Sequence, residues 1–187
     1  MNAMTWYDHE TSSIWSQPWG RAIDGELKGV ELFLLPFQLT TWEEWKAAYP
    51  DTLVMINDLD RVGNNRQTFS YKFVIGLVLS EDAKAYYFLD VRDAGVVNDW
   101  LGNVPVMVWA GDNIYHAYIR QLDGQLLTFR WQGDVLVDEE TSSTWDAVRG
   151  LAIDGPLKGG SLRAVPNLSS YDWAWRDFYP NTEFYEP

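Results

Sequence analysis

The chain contains no cysteine and only two histidines. Without thiols it cannot form disulfides, thiolate zinc sites or iron–sulfur clusters, and thiol catalysis is excluded. Two isolated histidines are a weak basis for a metal site, and we expect no cofactor. The sequence also lacks a phosphate-binding loop, a dinucleotide fingerprint, a nucleophile elbow and a zinc-protease motif. Whether the protein is an enzyme therefore stays open, and the sequence favours a non-catalytic role.

Basic residues are scarce, since 14 Lys and Arg stand against 27 Asp and Glu and the net charge is −13. Such a chain repels phosphate backbones, so we expect no nucleic-acid partner.

Long apolar runs are lacking too. The runs at residues 30–36 and 104–110 are too short to cross a bilayer, so we expect no membrane insertion. Residues 1–6 do not show the pattern of a signal peptide, and the compartment stays unknown.

Aromatic residues are abundant, with 11 Trp, 10 Tyr and 8 Phe, and the sequence repeats itself. A shift of 130 residues aligns DHETSSIW at 8–15 with DEETSSTW at 138–145, and GRAIDGELKG at 20–29 with GLAIDGPLKG at 150–159. We interpret residues 8–55 and 138–185 as two copies of one structural unit.

The predicted organisation is a partial first repeat at 1–57 and a second unit at 58–187, packed as one globular body. In the second unit, strands at 73–131 precede the repeat motif at 138–185. The first motif has only seven residues ahead of it. We therefore expect the incomplete first unit to be covered by a homodimer partner or by another protein.

Each copy predicts the same local elements. Turn-forming residues of the D-x-E-T-S-S motif and of Asp-Gly lead into a short strand, at 31–35 or 161–165. A helix follows, capped by Thr40 with Glu43 in the first copy and by Ser169 or Ser170 in the second. Tyr-Pro ends each helix, and a strand follows at 53–56 or 183–185. An apolar stripe is predicted along each helix, with Trp42, Trp45 and Tyr49 in the first copy and Tyr171, Trp175 and Phe178 in the second, and the first stripe is predicted to be core.

The stretch between the copies is rich in strands. Strands are predicted at 73–79, 85–89, 104–109, 115–120 and 126–131, with a hairpin turn at Asp123-Gly124, a surface turn at 58–68 and a short helix or crossover at 90–101. The predicted fold class is mainly β (α+β): a compact antiparallel or mixed β-sheet or barrel-like domain with a few short helices, built on an internal duplication.

Two groups of residues are candidate sites. Asp8, His9 and Glu10 offer oxygen and imidazole ligands for a cation, although side chains that cap a turn explain the acidic motif better because it occurs in both copies. The second group is a candidate binding surface: Ser16, Gln17, Trp19 and Arg21, which differ between the copies, together with Trp15, which both copies share. Ordinary drift on an exposed loop is the competing interpretation of this difference.

These motifs resemble a known family. D-x-E-T-S-S-x-W-S-Q, G-R-A-I-D-G-x-L-K-G, L-P-x-x-L-T-T-W-x-x-W and Y-P-D-T-L-V are similar to domain of unknown function 3179, closely over residues 6–55 and more loosely from 76 onward. The resemblance implies a prokaryotic protein and an extracytoplasmic setting. It also implies a Cys-x-x-Cys-Gly segment before the first motif, which this chain does not contain. The family carries no assigned activity.

The sequence thus favours a non-catalytic binding or interaction module, whose small-molecule or glycan ligand is unknown. Two alternatives stay open. One is a metal-handling or redox-associated protein, or an enzyme, whose chemistry lies in a missing half or a partner. The other is a purely structural domain.

Overall fold

The computed structural model describes residues 4–35, 37, 39–54 and 72–187. In chain order their strands and helices are β1 (Thr5–Tyr7), β2 (Ile14–Ser16), β3 (Arg21–Asp24), α1 (Trp42–Ala48), β4 (Phe73–Leu79), β5 (Asp82–Tyr87), α2 (Phe88–Ala94), β6 (Val96–Leu101), β7 (Val104–Ala110), β8 (Tyr115–Ile119), β9 (Gln121–Leu122), β10 (Gln125–Leu126), β11 (Phe129–Gln132), β12 (Val135–Asp138), β13 (Thr144–Asp146), β14 (Leu151–Asp154), β15 (Asn167–Tyr171), α3 (Asp172–Phe178) and β16 (Glu183–Phe184). The described chain is mainly β, as predicted, and its sheets do not close into a barrel.

Two sheets form the main sandwich. One has the order β15-β4-β5-β16 and is antiparallel except for the β16–β5 pair, and the other is the antiparallel sheet β6-β7-β8. Alternate residues of each strand face the space between them, because successive side chains of a strand point to opposite faces. Ile75 and Leu77 of β4 meet Val106 and Val108 of β7 in this core, and α2 contributes Val91.

The opposite face of β7 and β8 packs on a third sheet, whose order is β11-β12-β13-β14. Met107 and Tyr118 contact Phe129, Leu136 and Trp145 there. The indole of Trp145 meets the ring of Phe129 edge-on, with the centroids 5.4 Å apart. The D-x-E-T-S-S motif of the second unit is thereby joined to the central sheet.

Helix α3 covers the outer face of β4 and β5. Its Trp175 is 2% exposed and lies over Gly76 of β4. A Cβ atom at Gly76 would lie 2.2 Å from the Trp175 ring, so this strand position requires glycine.

The first unit forms its own antiparallel sheet, β1-β2-β3, and contacts the second unit at several points. The Trp19 indole packs edge-on against Phe178, and the Tyr179 hydroxyl donates to the Pro18 carbonyl at 3.2 Å. The Leu39 carbonyl accepts from the Tyr115 amide at 3.1 Å. These contacts join the two units.

Some strand predictions are confirmed and others need correction. The strand Phe73–Leu79 and the turn at Asp123-Gly124 occur as expected, although this turn joins the short β9 and β10. The predicted strand 85–89 gives way to α2 at Phe88, and 90–101 divides into α2 and β6. The predicted strand 126–131 is interrupted at residues 127–128, since the Leu127 and Thr128 amides donate to Arg120 and Glu140.

The strands predicted after the glycine turns are largely wrong. Of the described residues 31–35 only Glu31 forms a bridge, to Arg21, and of residues 161–165 only Ser161 and Ala164 form isolated bridges. Residues 53–54 form no strand, whereas Glu183–Phe184 pairs with β5. Residues 55–56 and the predicted turn at 58–68 lie outside the described residues.

The helix predictions are right about the ends and wrong about the caps and the core. Tyr49 and Tyr179 end α1 and α3 as predicted. The capping box of α1 is Thr41 with Glu44, one residue later than expected. Ser169 and Ser170 belong to β15, and Tyr171 begins α3 without a side-chain cap.

The stripe on α1 that was predicted to be core is not buried. Trp42 is 54% exposed and Tyr49 is 37% exposed, Trp45 is half-buried, and α1 has no buried residue. On α3 only Trp175 is buried, while Tyr171 is exposed. Both helices have the spacing of an apolar face. In the described chain a sheet packs against α3 but not against α1.

None of the described helices is both long enough and apolar enough to span a membrane.

We expect Trp175→Ala to destabilise the protein by about 3–5 kcal/mol, because the indole is buried against Gly76. The matched change Trp45→Ala should cost roughly 1–2 kcal/mol, since Trp45 is half-buried. Urea unfolding of both variants measures the difference. Equal losses would contradict this assignment of core and surface.

The buried ring of His116 leads us to predict that the protein loses stability in acid. This ring is fully buried between Trp109 and Tyr118, and burial lowers its pKa to about 4. Because the folded pKa lies below the unfolded value of about 6.5, the neutral ring contributes stability that is lost as the pH falls from about 6.5 to 4. The loss should reach at most about 3 kcal/mol. Urea unfolding at several pH values should show a shallower slope in His116→Phe, and an unchanged slope would contradict the prediction.

Candidate functional site

The D-x-E-T-S-S motifs fold into one hydrogen-bonded turn that occurs twice. Asp8 accepts from the Thr11 amide at 2.6 Å and from the Trp15 indole at 3.0 Å. Asp138 accepts from the Thr141 amide at 2.6 Å and from the Trp145 indole at 2.9 Å. A carboxylate can accept several such bonds at once, which is why aspartate suits this position.

The same turn is joined to the A-I-D-G motif by a buried serine. The Ser13 hydroxyl accepts from the Leu27 amide at 2.9 Å, and the Ser143 hydroxyl accepts from the Leu157 amide at 3.0 Å. A Cβ atom at Gly25 would lie 2.6 Å from the Ser13 Cα, and Gly25 also has a φ of +91°. Glycine is therefore required where the two motifs meet.

These bonds determine the electrostatics of the candidate metal ligands. The Trp15 indole and then the Thr11 amide and hydroxyl hold the pKa of Asp8 well below its usual range, because they stabilise the carboxylate. The ring of His9 contacts Tyr7 edge-on, with the centroids 5.0 Å apart. The described residues contain no group of three or more carboxylates and histidines arranged to hold a metal. A metal role for Asp8, His9 and Glu10 stays a prediction, while the capping role of Asp8 is seen directly.

An open cleft of about 790 Å³ lies between the first and second units. Gln17, Trp19 and Arg21 of the candidate binding set line this cleft. Trp15 and Ser16 do not, because both are buried beneath the turn. The structure thus brings three of the five predicted residues together on one surface and places the other two in the interior.

The cleft combines aromatic and charged groups. Arg21 and Glu31 form an exposed ion pair with 2.6 Å between the guanidinium and the carboxylate. Trp6 and Trp19 are both partly exposed beside them. Such a surface can bind a ligand by ring contact and hydrogen bonding.

Several lining residues were not anticipated. The second unit contributes Val78, Ser80, Glu81, Leu168 and Tyr179, and the first contributes residues 32–35. Phe33 is 86% exposed and Leu35 is 67% exposed. The sequence does carry a signal for the first-unit wall, because the run 30–36 is apolar, but an apolar run does not show whether another strand lies beside it.

The Asp8 turn gives a pH-dependent prediction. Because the folded pKa of Asp8 is lowered, its carboxylate stabilises the fold above the unfolded pKa, and this contribution is lost as the pH falls through that value and below. Asp8→Asn should therefore lower stability at pH 7 and weaken its dependence on acid pH. Unfolding curves from pH 2 to 7 (roughly the range in which Asp titrates) measure both effects. Unchanged stability at pH 7 would contradict the capping role.

Comparison with known proteins gives a family but no activity. The family model described as "Protein of unknown function (DUF3179)" matches residues 1–71 and again residues 61–182. No curated protein and no solved structure matches the chain. The two matches together cover most of the sequence and agree with the resemblance of its motifs. The chain belongs to the DUF3179 family.

Proposed function

We propose that the protein is a non-catalytic interaction module that binds an extended polypeptide along residues 33–35. The observation behind this proposal is the exposed apolar segment at one wall of the cleft, in which Phe33 and Leu35 are largely in solvent. Isolated apolar residues on a surface are ordinary, but a contiguous exposed run at a cleft is typical of an interaction site.

The matching segment of the second unit supports the mode of binding. There the Ile119 amide donates to the Arg163 carbonyl at 2.8 Å, and the Val165 amide donates to the Ala117 carbonyl at 2.9 Å. Residues 163–165 thus lie beside β8 like an added strand. The equivalent groups of the first unit are the Phe33 carbonyl and the Leu35 amide, for which the described part of the chain supplies no backbone partner.

The side chains of the segment also suit a partner. Leu162 and Val165 are buried on either side of β8, in two different core clusters. Their counterparts in the first unit are Leu32 and Leu35, which are equally apolar but exposed. An added strand would cover these side chains and would satisfy the free backbone groups, which is how proteins recognise extended peptides at a sheet edge.

The test uses a fluorescent peptide with the sequence of residues 113–121, which contains β8. Fluorescence anisotropy should show saturable binding to the full chain. Leu35→Pro should weaken binding by about tenfold or more, because it removes the amide that would bond to the peptide.

The peptide carrying Ile119→Pro is the matched control, since it loses the donor that would bond to the Phe33 carbonyl. It should bind at least about tenfold more weakly. Equal affinity of both peptides, or unchanged affinity of Leu35→Pro, would refute strand addition at this segment.

A further inference from the structure

The helices α1 and α3 have the same internal contacts. The Trp45 and Tyr49 rings lie 4.4 Å apart, and those of Trp175 and Tyr179 lie 4.2 Å apart. The Trp45 indole donates to the Thr52 hydroxyl at 3.0 Å, and the Trp175 indole donates to Thr182 at 2.8 Å. Each helix and the turn after it are therefore built in the same way.

Their surroundings differ. Trp175 is buried over Gly76 of β4, and the Thr182 hydroxyl donates to the Ala83 carbonyl of β5 at 3.1 Å. The chain after α3 then pairs with β5, where the Tyr185 amide donates to the Ala85 carbonyl at 2.9 Å.

The first unit has no such sheet among its described neighbours. Helix α1 has no buried residue, and the chain after it is open to solvent, with Leu53 97% and Val54 58% exposed. Both residues are apolar although they lie in solvent. The face of α1 that corresponds to the Trp175 face therefore has the side chains of a packing face, and residues 72–187 set no sheet against it as they do against α3.

A third point of difference lies at the loop after β2. In the second unit the Trp109 indole of β7 donates to the Ala147 carbonyl at 3.0 Å. The counterpart of Ala147 is Gln17, and no described side chain donates to the Gln17 carbonyl. Trp109 thus holds this loop in the second unit, and among the described residues no side chain does the same for the loop at Gln17.

The groups that complete the second unit belong to one stretch of sequence. Strands β4 and β5 cover α3, Trp109 of β7 holds the 147–148 loop, and β8 pairs with residues 163–165. We propose that the partner of the first unit is a polypeptide carrying a block of strands like residues 72–133 of this chain, with a glycine at the position of Gly76. This inference rests on the proposed function and specifies the chemistry of the partner.

A second copy of the chain does not fit this role in its folded form. Its β4–β5 pair is already flanked by β15 on one side and by β16 on the other, both from its own C-terminal segment. Its Gly76 face is likewise filled by Trp175. The occupant we infer is therefore a separate block of strands whose β4 equivalent is not already covered by its own C-terminal segment.

The experiment supplies the block directly. Residues 72–133 are fused ahead of Met4, which keeps the spacing of 130 residues between the two units. Hydrogen exchange is measured by NMR for the fused chain and for the unfused chain at the same concentration. In the fused chain the amide of Leu35 and the amides of the added β4 and β5 copies should exchange at least roughly 100-fold more slowly than in an unfolded segment. In the unfused chain the Leu35 amide should exchange rapidly.

Two variants of the fused chain show whether α1 is the docking face. Trp45→Ala should remove the protection of the added β4 copy, whereas Trp173→Ala, on the exposed side of α3, should leave it unchanged. A Gly→Leu change at the added copy of Gly76 should act like Trp45→Ala, because a side chain there would meet the indole.

Three results would overturn the inference. The first is an added block that exchanges like an unfolded chain while residues 72–187 stay protected. The second is protection of the added block that survives Trp45→Ala and the Gly→Leu change. The third is a Leu35 amide already protected in an unfused chain of doubled mass, since a second copy would then be the occupant. Peptide binding at residues 33–35 without docking of the block would leave the proposed function intact and refute only the partner inferred here.

Discussion

The second unit depends on the hydrogen bonds that the buried carboxylate of Asp138 accepts. Asp138 is 1% exposed and accepts bonds from the Thr141 amide and hydroxyl and from the Trp145 indole. A buried charge is costly unless it is well bonded, so these donors must stay in place for the fold to be stable. Trp145, oriented in this way, packs edge-on against Phe129. The Ser143 hydroxyl accepts from the Leu157 amide and so connects the motif to the A-I-D-G turn. The D-x-E-T-S-S motif therefore positions side chains of the hydrophobic core and is more than a surface turn.

Much of the fold could be predicted because it depends on local patterns. The strands Phe73–Leu79 and Val104–Ala110 were visible as apolar runs, and the Tyr-Pro pairs correctly ended both helices. The failures have a common physical cause. A stripe of apolar residues indicates that one face of a helix can pack, but it does not show whether a sheet lies opposite that face. The stripe with Trp45 and the stripe with Trp175 look alike in sequence, and only the second meets a glycine across a strand.

The candidate site was predictable to a smaller extent. The difference between the two copies points to Gln17, Trp19 and Arg21, and these residues do line the cleft. Trp15 lies near them in the sequence, but its indole donates to Asp8 and its side chain is buried. The opposite wall comes from the β4–β5 turn, which is distant in sequence, so no local pattern points to it. The exposed apolar segment at residues 32–35 becomes informative only when its counterpart is seen paired with β8.

The pairing of β4 with β15 has a consequence for the order in which the molecule is assembled. Residues 73–77 form a ladder with residues 167–171, which are synthesised after the whole stretch between them. Contacts between segments so far apart form slowly, because a long loop has to close first. Because β4 precedes α3 in the chain, Trp175 can pack over Gly76 only after residues 172–178 have been synthesised. The recess over Gly76 therefore closes only after translation has passed residue 175, long after the strand that lines it has been made.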